Sequence, residues 1–117
     1  MALILVVDDE SAIVETLAEV LRWKGHEVVT AANGELALEA IAGRTPSLVL
    51  LDYMMPVLDG LQTLQRLRAD PAHATLPVIL MSAAPETSIP QAARWDRFLH
   101  KPFREPALLA ALAACGL

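Results

Sequence analysis

Three short runs of aliphatic residues, Leu3-Ile4-Leu5-Val6-Val7, Leu48-Val49-Leu50-Leu51 and Val78-Ile79-Leu80-Met81, constrain this chain more than any other feature. They are too short for ordinary helices. They are also continuous rather than alternating, which is the pattern of strands buried on both faces, as in a parallel sheet. Val28-Val29-Thr30 supplies a fourth strand and Phe98-Leu99 a weaker fifth, with segments of helical spacing between them. A parallel crossover is right-handed and needs a helix to return the chain, so the alternation predicts a doubly wound α/β domain. Five parallel strands would carry helices on both faces.

The helices have readable ends. The first is expected to open near Ser11 as N-cap, bury Ile13, Leu17, Val20 and Leu21, and stop before Gly25. A second fits residues 35–42, ended by Gly43 and Pro46. A third fits 61–69, with Leu61, Leu64 and Leu67 inward and Pro71 closing it. The last fits 105–115 around Leu108, Leu109 and Leu112. Between Ser82 and Lys101, Pro85 and Pro90 break the pattern and only residues 91–95 could continue helically, so a short or irregular fourth helix is expected. Trp23 and Trp95 are expected partly buried at helix ends.

Composition narrows the function. At 117 residues with 55% hydrophobic content, one core can hold one domain, here residues 1–117, without staples. A lone cysteine, Cys115, forms no internal disulfide, which fits a reducing cytoplasm. No apolar run approaches the roughly 20 residues that span a bilayer, so no membrane association is expected. Nine basic against fourteen acidic side chains leave a net charge of −5, which disfavours direct nucleic-acid binding by this domain. His26, His73 and His100 have no metal-ligand spacing.

In a doubly wound sheet, ligands sit outside the carboxyl ends of the strands. Asp8-Asp9 follows the first run, Asp52 the third, Ser82 the fourth and Lys101-Pro102 the fifth. Any one of these alone reads as a solvated strand cap, a turn or a surface charge. Together they place three carboxylates on one edge, where they repel unless a cation neutralises them, and carboxylate oxygens suit a hard ion such as Mg²⁺. Mg²⁺ commonly shares its shell with phosphate, so three aspartates with one lysine suggest phosphoryl chemistry. One carboxylate could then act as a nucleophile and form an acyl phosphate.

These residues carry a family resemblance that covers essentially the whole chain. Leu5-Val6-Val7-Asp8-Asp9-Glu10, Leu50-Leu51-Asp52-Tyr53-Met54-Met55-Pro56 with Asp59-Gly60, Met81-Ser82-Ala83 and Lys101-Pro102-Phe103 resemble, in order and spacing, the receiver domain of two-component response regulators. The likeness is to the chemotaxis-regulator type with a flavodoxin-like fold. It implies that Asp52 is the phosphate acceptor, charged by a sensor histidine kinase, a histidine phosphotransfer protein or a small phosphodonor. Asp9 would bind Mg²⁺ directly and Asp8 mostly through water, with Asp52 and the backbone carbonyl of Met54 completing the protein's share. Lys101 would pair with phosphoryl oxygens across a cis bond to Pro102, and Ser82 would donate its hydroxyl. Phe98 would be the aromatic partner of Ser82 in the switch, without the hydroxyl that tyrosine brings in many relatives, although an aromatic in a buried strand is more often core than switch. Met54 lies where the family's side chain influences water access, though it too suits plain packing. With no acid or amide at Met54 or Ala84 to orient water, slow self-dephosphorylation is expected.

The stretch from Ser82 to Lys101 departs from the family. It is shorter by about a helical turn, and Arg94-Trp95-Asp96-Arg97 replaces the customary Gly-Ala before the fifth strand. That points to another transmitting surface toward a downstream effector, such as the first helix, or to a homodimer arranged unlike those of transcriptional relatives. One alternative keeps the fold as a docking module that works without phosphorylation; the five intact site residues weigh against it. A haloacid-dehalogenase-like phosphatase would need Asp-x-Asp after the first strand, whereas Ser11 stands two residues beyond Asp9 and no cap domain is present.

Overall fold

A computed structural model of the protein describes residues 2–117. The strands are β1 Leu3–Val7, β2 Glu27–Ala31, β3 Leu48–Asp52, β4 Val78–Ser82 and β5 Arg97–His100, and all pair in parallel in the order β2-β1-β3-β4-β5. The helices are α1 Ser11–Trp23, α2 Gly34–Gly43, α3 Gly60–Ala69 and α4 Glu105–Ala114. Among the described residues no helix is long and apolar enough to cross a membrane.

The continuous apolar runs divide by strand periodicity between two cores. Ile4, Val6, Leu48, Leu50, Ile79 and Met81 meet α1 and α4 on one face. Leu5, Val7, Val49, Leu51, Val78 and Leu80 meet α2 and α3 on the other. Both faces of β1, β3 and β4 are therefore dry, which is why these runs show no polar alternation.

Helix ends differ in detail from the sequence reading. Glu10, not Ser11, is the N-cap of α1, and its side chain makes no capping bond. Its amide instead donates to Asp8 Oδ1 at 3.0 Å. Asn33 caps α2 by accepting from the Leu36 amide, and Asp59 and Gln62 close a reciprocal capping box on α3. Trp23 is 85% exposed rather than partly buried. It lies at the last position of an amphipathic helix whose inward stripe ends at Leu21.

Residues 91–95 form no helix; the only regular element between β4 and β5 is a single 3₁₀ turn, Glu86–Ser88. A five-residue helix is below the length that sustains itself, and tertiary bonds prevail here. Arg68 of α3 is the main tether. Its guanidinium donates to the carbonyls of Leu76 at 2.7 Å and Arg94 at 2.9 Å, and to Asp96 Oδ2 at 3.0 Å. Asp96 Oδ2 also accepts from the Val78 amide at 2.8 Å. Ile89, 3% exposed, fills the core where a covering helix would otherwise pack.

Candidate functional site: an acidic cluster at the strand ends

Because every strand runs the same way, the residues ending β1, β3, β4 and β5 share one edge. The chain reverses its winding direction between β1 and β3, and that crevice holds the acids. Asp8, Asp9 and Asp52 each offer a carboxylate oxygen within 4.8 Å of the others. Asp8 is 1% exposed and Asp52 4%, while Asp9 faces solvent. The Asp59-Gly60 pair has a structural use beneath them. Asp59 caps α3, and Gly60 lies so close to β3 that an added Cβ would strike the Asp52 carbonyl and come within 2.8 Å of Tyr53 Cα.

Lys101 supplies the counter-charge. Its Nζ lies 2.6 Å from Asp8 Oδ2 and 3.0 Å from Asp52 Oδ1, bridging the two buried acids. The peptide bond joining it to Pro102 is cis, and its amide donates to the Ser82 carbonyl at 2.8 Å. Burial drives the Asp52 carboxyl up to about 6; Lys101 opposes this, and the charges of Asp8 and Asp9 add to it. For Lys101 burial alone would lower the ammonium, but its bonds to Asp8 and Asp52 and their charges prevail, and it is raised. Three carboxylates against one ammonium leave the cluster short of positive charge. An all-oxygen donor set with that deficit fits a hard divalent cation held by Asp8, Asp9 and Asp52.

The other expected residues lie around this centre. Ser82, 2% exposed, ends β4, and its Oγ accepts from the Ala84 amide at 3.0 Å. Met54 is 68% exposed in the loop after Asp52. Phe98 lies apart from the acids, partly buried against the core on the α2–α3 face with Trp95, Tyr53 and Met55. An open groove of about 460 Å³ runs beside Lys101, lined by Ile13, Leu17, Ala83, Pro102 and Phe103 among others. Sequence reasoning missed the support given by Gly60 and by Arg68. Gly60 was visible only as part of a motif, and Arg68 carried no signal, since its acceptors are scattered over two other segments.

A doubly wound sheet with an aspartate cluster at its switch point and a lysine bridging two of the acids defines a receiver-type α/β domain. The family model for the response regulator receiver domain matches residues 4–113, and the chain belongs to that family, the signalling switches of two-component systems. It is similar to the response regulator MprA of Mycobacterium sp. (strain KMS), with 40% identity over 114 residues, covering 95% of this chain and 49% of that protein. The chain thus spans about half the length of the curated relatives it matches. Its structure is similar to the chemotaxis response regulator CheY4 of Vibrio cholerae, with a TM-score of 0.92, 28% identity and 98% of each chain covered. It is also similar to the receiver domain of the sensor histidine kinase PA1611 from Pseudomonas aeruginosa PAO1, described with a magnesium ion coordinated in its active-site cleft. There the TM-score is 0.89 with 25% identity, covering 99% of this chain and 98% of that one.

Proposed function

We propose that this receiver domain, residues 1–117, accepts a phosphoryl group on Asp52 from a phosphohistidine of a sensor kinase or phosphotransfer protein, and signals to a downstream effector. The observation that carries the reading is Asp52 itself, buried at the end of β3 beside two further aspartates and paired with Lys101. An Asp52 carboxylate oxygen attacks phosphorus, and the bond from phosphorus to the donor's imidazole nitrogen breaks. The imidazole leaves with that electron pair. A Mg²⁺ ion held by Asp8, Asp9, Asp52 and the Met54 carbonyl would supply charge neutralisation for the carboxylates and phosphoryl oxygens. The magnesium in the PA1611 receiver supports that assignment.

Lys101 then transfers part of its bonding from the acids to a phosphoryl oxygen. The acyl phosphate brings about two negative charges and new acceptors, and the Ser82 hydroxyl can turn from accepting the Ala84 amide to donating to them. Phe98, on the strand paired with β4, follows as the aromatic partner of the switch. The exposed, apolar Met54 orients no water, so the acyl phosphate hydrolyses slowly. The groove beside Lys101 suits an apolar flank of the donor protein. A domain working this way would sit in the cytoplasm, where its kinase presents phosphohistidine.

Intact-protein mass after incubation with acetyl phosphate and Mg²⁺ tests the reading. One phosphate adduct that needs Mg²⁺ and disappears in Asp52→Ala is the expected result. A folded protein that takes no adduct would refute it and favour a docking module that acts without phosphorylation.

A further inference from the structure

The connection between β4 and β5 is anchored by Arg68 and Asp96 at its far end and by Ser82 at its near end. One bond crosses its middle. Trp95 Nε1 donates to the Glu86 carboxylate at 2.7 Å, while the Trp95 ring packs into the same apolar cluster as Phe98 and Ile89. Glu86 opens the 3₁₀ turn four residues after Ser82, and Pro85 stands between them. The indole bond therefore ties the segment touching Ser82 to the start of β5.

We propose that the Trp95–Glu86 hydrogen bond is a latch that couples Ser82 to β5, doing in this chain the work of a covering helix. The proposal rests on phosphorylation of Asp52. When the Ser82 side chain rotates about χ1 and carries its Oγ away toward the phosphoryl group, the Ala84 amide loses its acceptor and the short segment 84–86 must reorient. Proline has a fixed φ, so Pro85 passes that change to Glu86 instead of absorbing it. Glu86 withdraws from Trp95, and the freed indole N–H turns to water, loosening the apolar contacts beside Phe98. The phosphoryl group thus favours one of two arrangements by removing the bond that holds the other.

The chain has two tryptophans, so Trp23→Phe leaves Trp95 as the sole reporter. In that background, acetyl phosphate and Mg²⁺ are added, the adduct is counted by intact mass, and acrylamide quenching of Trp95 emission is followed. Phosphorylation is expected to raise the quenching constant by about twofold, and Glu86→Ala to show the raised value beforehand with no further response. Glu86 is exposed, so its truncation leaves the core untouched. A full adduct with unchanged quenching would overturn the latch and leave the phosphoacceptor reading standing. A Glu86→Ala protein that responds like its parent would overturn it as well. Absence of any adduct would overturn the phosphoacceptor reading, and the latch with it.

Discussion

Replacing Asp52 by asparagine removes one of three converging negative charges while keeping the shape of the side chain and an oxygen that Lys101 can still reach. In the metal-free protein the Asp52 carboxyl is raised from its ordinary 3.8 to about 6. With Asp52 ionised in both states at pH 7.5, folding is therefore less favourable by about 3 kcal/mol than with an unshifted carboxyl, since a tenfold change in proton affinity is worth about 1.4 kcal/mol. The sign follows from the raised value. The folded state holds its proton more tightly than the unfolded chain, so stability is fully present below pH 3.8 and is lost as pH rises through about 6. Asp52→Asn is expected to be more stable than wild type by about 1–3 kcal/mol at pH 7.5 without metal, the lower figure allowing for a weaker bond to Lys101. At pH 4.5 the advantage should shrink by about 2 kcal/mol. Urea unfolding at both pH values, with chelator, measures this. Adding Mg²⁺ should stabilise wild type more than the variant, because a cation that binds the folded state selectively shifts the equilibrium toward it. A variant less stable than wild type by the same amount at both pH values would refute the reasoning, because Asp52 would then carry no uncompensated charge.

Gly60→Ala forces a Cβ against the Asp52 carbonyl and the Tyr53 backbone, neither of which can rotate away. Thermal unfolding should show a loss of about 3 kcal/mol or more, and an unchanged Tm would mean that α3 does not lie that close to β3. Arg68→Met keeps the apolar stem but leaves the carbonyls of Leu76 and Arg94 without their donor, costing about 2–4 kcal/mol. Hydrogen exchange should rise across residues 83–96 while Asp52 remains phosphorylatable. Met54→Asn puts an amide where water approaches the acyl phosphate, and the phosphate lifetime is expected to shorten by several-fold, well below the effect of a positioned proton-transfer group because an amide orients water without taking its proton. A longer lifetime in the variant would show that Met54 is not what slows hydrolysis.

The edge holding the acids was legible in the sequence because each short apolar run ended in a functional side chain. Parallel strands bring such ends together whatever their separation along the chain. Asp8, Asp9, Asp52 and Lys101 could be grouped on that ground alone. What Lys101 touches could not be read, since Asp8 lies 93 residues away in sequence and nothing local marks it as the closer partner. The exposure of Trp23 is not legible in the sequence for a related reason. Helical spacing identifies an inward stripe but not where the neighbouring elements end, and α1 outruns its cover by the last turn.

The sequence by itself determined the alternation of strands and helices, the parallel sheet and the carboxylates at its carboxyl edge, because periodicity and strand ends are local and repeat along the chain. Tertiary structure alone decided how the chain passes from β4 to β5. Pro85 and Pro90 announced that a regular helix would fail there. The arrangement adopted instead depends on Arg68 from α3, on Asp96 accepting the Val78 amide, and on Trp95 reaching Glu86. Each of these bonds joins residues brought together only after the sheet and α3 have packed, and buried polar groups take whichever partners that packing supplies.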